Sequence, residues 1–386
     1  MASSPTNLKP LLFLSLTMAN NPNPKTLESL VSTMHHLSTN LIIDVDSPWI
    51  KTFLDLDHNN NSSPLIAADP VLSTLVAHLR TLMETLKGLQ DYSFGSFVRR
   101  WLLNFEIAAV AGEILGNVKG SLDREMMERV VSVLREAGND EGKMRVLGWF
   151  YKRVCKGFDM GLQDLVLRMR VFELLESVVC DGECVLVREK AAMAIAALAG
   201  FNKVVFVGLV LMGHTVKGLV SMGTSCSLRV LGSLIRLIRG HLVDEIDLSG
   251  DIPKIIGYLG SEDESVPAMA LDCLLEMTFY GRCETVEMMV ECGLIEKLVF
   301  LQRQETCEKG EGQEVNEDVD EEDVFEDHPF VGCVARFALQ VEMGKGMESD
   351  GKSRIKTEIL WRAREASVSE AEAATLVAAL LWGSFS

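Results

Sequence analysis

Rows of residues spaced i, i+4, i+8, i+11 recur about every forty residues in this chain, and that recurrence limits its fold more than any other feature. The clearest copy is Val187, Ala191, Ile195 and Leu198, which share one helical face with Arg188, Glu189 and Lys190 on the other side. Six alanines between Val187 and Ala199 let neighbouring helices approach closely. Such a helix needs partners on more than one side. Forty residues later the row returns as Ser227, Leu231, Ile235 and Ile238, and thirty-nine after that as Val266, Ala270, Leu274 and Met277. Upstream it returns as Leu147, Tyr151 and Val154 behind an off-pattern Lys143, and more weakly as Phe97, Trp101, Phe105 and Ala108. Downstream, Val331, Ala335 and Leu339 follow after sixty-five residues, a gap that falls to forty-two once residues 305–327 are set aside. A second signal, Gly250-Asp-Ile-Pro-Lys-Ile-Ile, recurs forty-three residues on as Gly293-Leu-Ile-Glu-Lys-Leu-Val. Each unit therefore reads as a glycine turn, a short helix, a loop and a longer helix rich in small residues.

Reading in order, residues 1–24 are expected to be a disordered terminus and 25–68 a helix (26–41) followed by a polar loop. From Asp69-Pro70 to residue 304 helices follow one another: 71–89, 94–115, 122–137, 142–156, 162–179 and 185–199, then the rows above. No alternating β pattern of useful length interrupts them. Between Glu305 and Asp327 twelve acids face a single base, Lys309, so most of the net charge of −18 sits in that stretch. It is expected to be a solvated insertion, with docking of a basic partner or of the chain's own tail as the other reading. That tail carries Lys345, Lys352, Arg354, Lys356, Arg362 and Arg364. Residues 328–386 are read as a last repeat helix, a flexible Gly/Ser linker and capping helices, the final one opened by Ser369 with Glu372 three residues on.

Gly346-Met-Glu-Ser-Asp-Gly351-Lys352-Ser353 matches the spacing of a phosphate-binding loop, which would imply a nucleotide-dependent enzyme. That chemistry requires a strand before the loop and backbone N–H groups converging on phosphates. Here a helical row precedes it, and Glu348 and Asp350 would place negative charge in the cradle, so a linker is expected. Residues 55–66 begin like a calcium loop but carry Asn60 where the glycine is due and Ile66 where the glutamate is due. The seven histidines are scattered, and Cys180-x3-Cys184 lacks the second ligand pair of a zinc site. Neither catalytic residues, a metal site nor a cofactor is expected. Nine cysteines without a pairing framework suit a reducing compartment, cytoplasmic or nuclear, although Leu11–Thr17 leaves a targeting segment open. The acidic balance disfavours nucleic acid, and no apolar run approaches the roughly 20 residues that span a bilayer.

A period of 40–47 residues with two or three helices per unit is that of armadillo or HEAT repeats. The Gly293 signal and the Val187–Ala199 run resemble the armadillo superfamily, over roughly residues 70–304 and again at 328–343; residues 242–303 and 364–383 resemble plant armadillo-like proteins, here without a U-box. The resemblance implies an all-α, right-handed superhelical solenoid whose third helices line a concave groove holding a partner protein or extended peptide. Transferred onto these rows, the groove-facing positions fall six and ten residues after each row's start. They are Leu103 and Ile107, Trp149 and Arg153, Met193 and Ala197, Ser233 and Leu237, Asp272 and Glu276, and Phe337 and Val341. Import receptors of this superfamily repeat Trp and Asn there; with Trp149 alone, import-cargo binding is disfavoured. The expectation is a monomeric, non-catalytic scaffold for a basic or amphipathic partner, with a substrate adaptor in a ubiquitin-ligase or signalling complex as the alternative.

Overall fold

A computed structural model describes residues 24–39, 48, 70–89, 94–263, 265–309 and 329–382. The expectations for residues 1–23, for most of the 40–68 loop and for most of the acidic stretch fall outside them. Among the described residues every regular element is helical. The chain divides into two compact units, 1–149 with 159–171, and 150–158 with 172–386.

In the first unit, α1 (Pro24–Thr39) and α2 (Pro70–Gly88) both pack on α3 (Phe94–Arg135). The core joins Leu30, Met34 and Leu37 of α1 to Leu79 and Met83 of α2 and to Ile107, Ile114 and Val118 of α3. Two expectations change here. The helices expected at 94–115 and 122–137 form one 42-residue helix. Gly116 and Gly120, in the expected gap, lie within the helix with nothing near the place a Cβ would occupy. In addition, the weak row Phe97, Trp101, Phe105 lies on the exposed side of α3, so it is not a repeat row. The buried stripe of α3 runs through Ile107, Val110, Ala111 and Ile114 instead. The α4 helix (Asp140–Val154) spans the division, and α5 (Met160–Arg168) also belongs to the first unit. A single helix was expected over 162–179. It is broken at Arg170, whose φ of 53° ends α5 without a glycine or proline to announce it.

The second unit is a stack of three-helix repeats. After α6 (Val171–Asp181) and the long α7 (Val185–Phe201) come α8 (Lys203–Met212), α9 (Thr215–Met222) and the long α10 (Ser225–Ile238). Then follow α11 (Gly240–Leu248), α12 (Ile252–Gly257, extended by a 3₁₀ turn) and the long α13 (Ser265–Tyr280). The last group is α14 (Cys283–Glu291), α15 (Leu294–Lys309) and α16 (Cys333–Met343). The helix α15 thus carries the chain five residues into the acidic stretch as the sequence reading bounded it. The long helices stack in order: α7 on α10, α10 on α13, α13 on α16. All four residues of the 187, 227 and 266 rows are buried, which is why those rows were legible.

Polar contacts across the stack repeat at nearly the sequence period. Glu176 accepts from the His214 amide at 2.6 Å and the Thr215 hydroxyl at 2.7 Å. Two units on, Asp247 accepts from Thr285 at 2.7 Å and Asp244 pairs with Arg282 at 2.6 Å. Tyr258 donates to the Val220 carbonyl at 2.6 Å, and Lys297 to the Ile256 carbonyl at 3.0 Å. Partners in these bonds are 38 to 41 residues apart. In each case an acid on a short helix of one unit holds donors at the start of a short helix in the next, where a helix start leaves N–H groups unsatisfied.

The C-terminal helices α17 (Ser349–Ala366) and α18 (Glu370–Trp382) complete this unit by packing on α14, α15 and α16. The Ser369 hydroxyl accepts the Glu372 amide at 3.1 Å, the cap the sequence indicated. The Glu372 carboxylate accepts from the Val368 amide at 2.8 Å and from Arg303 Nε at 2.8 Å. The other reading of the acidic stretch, docking on the chain's own basic tail, meets cations already engaged by folded helices. Arg354 pairs with Glu287, Lys356 with Glu342 at 2.7 Å, and Arg362 with Glu358 at 2.7 Å. Lys345 sits 5.2 Å from the Phe279 ring centre, and Arg364 lies 4.0 Å from Glu370.

Candidate functional site

Groove positions follow from the register of each long helix, so the buried stripes test the assignment. In α7, α10 and α13 the rows starting at Val187, Ser227 and Val266 are buried, and the positions six and ten residues on stay open. Met193, Ala197, Ser233 and Leu237 are half-buried, Glu276 likewise, and Asp272 is exposed. Ser233 is spent within its own helix, donating to the Val230 carbonyl at 2.7 Å.

Five expected groove residues are buried, four of them on α4 and α16. Phe337 is fully buried, Trp149 is 3% exposed and Arg153 is 7% exposed. Val341 is buried as well. Both errors are slips of one residue. In α16 the buried stripe is Val334, Ala338, Val341, so the row begins at Phe330, not Val331, and its open positions are Arg336 and Gln340. Treating residues 305–327 as one excised block displaced the row by one place. In α4 the buried stripe is Val146, Phe150, Arg153, and the positions left open are Gly148 and Lys152. The off-pattern Lys143 was the signal of that slip. Of the first pair expected, Leu103 is half-buried and Ile107 lies in the first unit's core.

With the register corrected, the second unit presents one continuous face. Met193 and Ala197 lie on α7, Ser233, Arg236 and Leu237 on α10, Asp272 and Glu276 on α13, and Arg336, Gln340 and Met343 on α16. Its charges are paired across the helices. Arg236 meets Glu276 at 3.1 Å, and Arg336 lies 3.8 Å from Asp272. Neighbouring side chains desolvate the Asp272 carboxyl and raise it above its ordinary value, offset in part by Arg336 and Arg236. The acidic spot expected at Asp272 and Glu276 is therefore a charge-balanced lattice, flanked by apolar Met193 and Leu237 at one end and by Leu339 and Met343, 47% and 57% exposed, at the other. The sequence reading missed Arg236, Arg336 and Met343. Their alternation with acids on adjacent rows was visible only once the rows were correctly registered.

The phosphate-loop sequence has another explanation. It is not a flexible linker: the Lys345 amide donates to the Phe279 carbonyl at 2.8 Å, and α17 begins at Ser349. A Cβ on Gly346 would collide with the Gly281 carbonyl and lie 2.9 Å from that of Tyr280; one on Gly351 would strike Cys283 Sγ. Lys352 donates to the Glu342 carbonyl at 2.9 Å. Both glycines are there for close packing, and the lysine is turned to the preceding helix end.

No family model matches this sequence, and no curated protein does. Among solved structures the chain is similar to the designed armadillo repeat protein YIII(Dq)4CqI, at 15% identity over 66% of this chain and 98% of that one, with a TM-score of 0.44. It is similar to the designed armadillo repeat protein YIII(Dq.V1)4CPAF in complex with the peptide (KR)4, at 15% identity over 67% and 97%, with a TM-score of 0.44. An engineered protein matches at 12% identity over 96% and 98%, with a TM-score of 0.43. The three-helix units and the stacked long helices stand on this chain's own geometry, and they make the second unit an armadillo-like repeat stack.

Proposed function

We propose that the chain is a non-catalytic scaffold that binds a partner protein or extended peptide along the face formed by α7, α10, α13 and α16. The observation that carries this reading is that face itself: four long helices in series whose buried stripes leave Met193, Leu237, Arg236, Glu276 and Asp272 in one accessible band. The preferred partner is amphipathic. Apolar side chains fill the ends of the band, and a polar segment exchanges hydrogen bonds with the Arg–acid pairs between them. A purely basic partner has less to gain, because Arg236 and Arg336 already occupy the acids. A place in the cytoplasm or nucleus, and a role as adaptor in a ligase or signalling complex, are compatible uses of the same surface. Among the described residues no helix is long and apolar enough to cross a membrane alone.

The test is quantitative affinity purification of tagged full chain in three forms: wild type, Met193→Glu with Leu237→Glu, and Val204→Glu on the outward side of α8, where Val204 is 91% exposed. Partners recovered with wild type and Val204→Glu but lost from the double variant support the reading. Equal recovery by all three removes it.

A further inference from the structure

In the second unit, α8 is apolar on every side yet lies at the surface. None of the nine residues after Lys203 is polar, and only Phe206 and Val210 are buried. On the opposite side Val204, Gly208 and Met212 follow one another by fours, with Val204 91% and Met212 89% exposed. Val207 and Leu211 beside them are half-buried. At the N-terminal end Phe201, the last residue of α7, packs against Phe158 with ring centres 5.5 Å apart, and Phe158 is itself 57% exposed. A helix that is apolar all round is ordinarily covered all round. Here the two end residues of the stripe stand clear of the fold instead of lining a groove in it.

We infer that α8 is a docking site for an anionic membrane surface: the helix lies flat on the bilayer, with Val204, Leu211 and Met212 sunk below the headgroups. Charge selects this occupant. Between Lys190 and Val243 the chain carries six bases and no acid, although its net charge is −18. That stretch runs through α8 and the helices around it: α7 and α9 pack on α8, and α10 packs on both. Lys203 opens α8 and Lys217 lies five residues past its end, both exposed. Glu176, the acid beside Gly213, is taken up by the His214 amide and the Thr215 hydroxyl. Acids farther away than a Debye length, about 8 Å at physiological salt, count for little here. Apolar side chains with lysines beside them are what an anionic lipid surface recognises. An acidic protein would also satisfy the lysines, but it would have to supply a pocket for each protruding side chain, whereas acyl chains accept them without one. The helix is not part of a span. Together α8 and α9 are apolar enough to cross a bilayer, but they meet at 68°, and α9 buries Val216, Leu219 and Val220 within the fold. The site is distinct from the α7–α10–α13–α16 face and does not rest on the partner-binding reading.

Flotation of the full chain with lipid vesicles tests this, using phosphatidylcholine alone and phosphatidylcholine with an equal part of phosphatidylserine. Wild type is expected to float with the phosphatidylserine vesicles, to bind the neutral ones about tenfold more weakly or worse, and to be released as salt rises. Val204→Glu with Met212→Glu should weaken binding by about tenfold or more, and Lys203→Gln and Lys217→Gln by about fivefold each. Trp361→Glu, at a 57% exposed residue of α17, should leave it unchanged. All five positions are exposed, so circular dichroism should show the same helicity in every variant. A wild type that fails to float with phosphatidylserine vesicles overturns the inference and leaves α8 to a protein partner. Equal flotation with the neutral vesicles overturns it, as does binding indifferent to the Val204 and Met212 changes.

Discussion

Gly346 lies so close to Gly281 that a methyl group on the first would overlap the carbonyl oxygen of the second, which makes these two glycines the seam between α13 and the turn leading into α17. Backbone is on both sides, so neither can yield as a flexible side chain would. Gly346→Ala is therefore expected to destabilise the second unit by about 1–3 kcal/mol, read as a fall of several degrees in Tm. Gly351→Ala, which meets only the Cys283 sulfur, should cost less, and Lys352→Ala almost nothing. If the 346–353 stretch instead held nucleotide, ATP or GTP would raise the Tm of wild type and not of Lys352→Ala; no such shift is expected.

The Arg303–Glu372 contact should be visible in the pH dependence of stability. Glu372 accepts from Arg303 at 2.8 and 3.1 Å and from the Val368 amide, and these bonds hold its carboxyl below the usual range. A depressed folded-state value means the stabilisation is complete above the ordinary glutamate value of about 4.3 and is lost as pH falls through the lower folded one. Glu372→Gln should then lower Tm at neutral pH by an amount corresponding to about 1–2 kcal/mol, and the gap to wild type should close below about pH 4. A gap independent of pH would contradict the assignment.

Cysteine reactivity should divide by burial. Burial pushes the Cys273 and Cys333 thiols up to about 12, so neither supplies thiolate at neutral pH. Cys155 and Cys292 are exposed. Brief alkylation with iodoacetamide followed by peptide mass spectrometry should label Cys155 and Cys292 and leave Cys273 and Cys333 unmodified until denaturant is added. Early labelling of Cys273 would mean that the α10–α13 contact opens readily.

The ion pairs on the shared face are expected to contribute to recognition more than to stability. Arg236 and Arg336 have side chains 52% and 32% exposed, where such pairs are worth under about 1 kcal/mol. Arg236→Ala should leave Tm nearly unchanged, measured by calorimetry, while altering the affinity of a partner that contacts Glu276.

Most of the second unit could be read from sequence because the Val187, Ser227 and Val266 rows are buried on all four positions, which leaves a strict pattern of small and apolar residues. The failures have separate causes. On α4 the apolar residues Val146, Leu147, Trp149 and Phe150 cover two faces, so either of two adjacent rows fits them, and the choice rests on the exposed Glu141, Arg145 and Lys152 that mark the outer side, which the row pattern leaves out. That slip placed Trp149 and Arg153 in the groove, and the one on α16 placed Phe337 there. The break at Arg170 was invisible because no glycine or proline marks the positive φ there. In α3 the error ran the other way: exposed aromatics at helical spacing imitate a core stripe, and nothing local distinguishes the two.

The central claim is that partners bind the α7–α10–α13–α16 face, and hydroxyl-radical footprinting of the chain alone and with its captured partner tests it most directly. Met193, Leu237 and Met343 should lose reactivity in the complex, while Met212, 89% exposed on α8, keeps its own. Protection of Met212 with unchanged Met193 and Met343 would contradict the account.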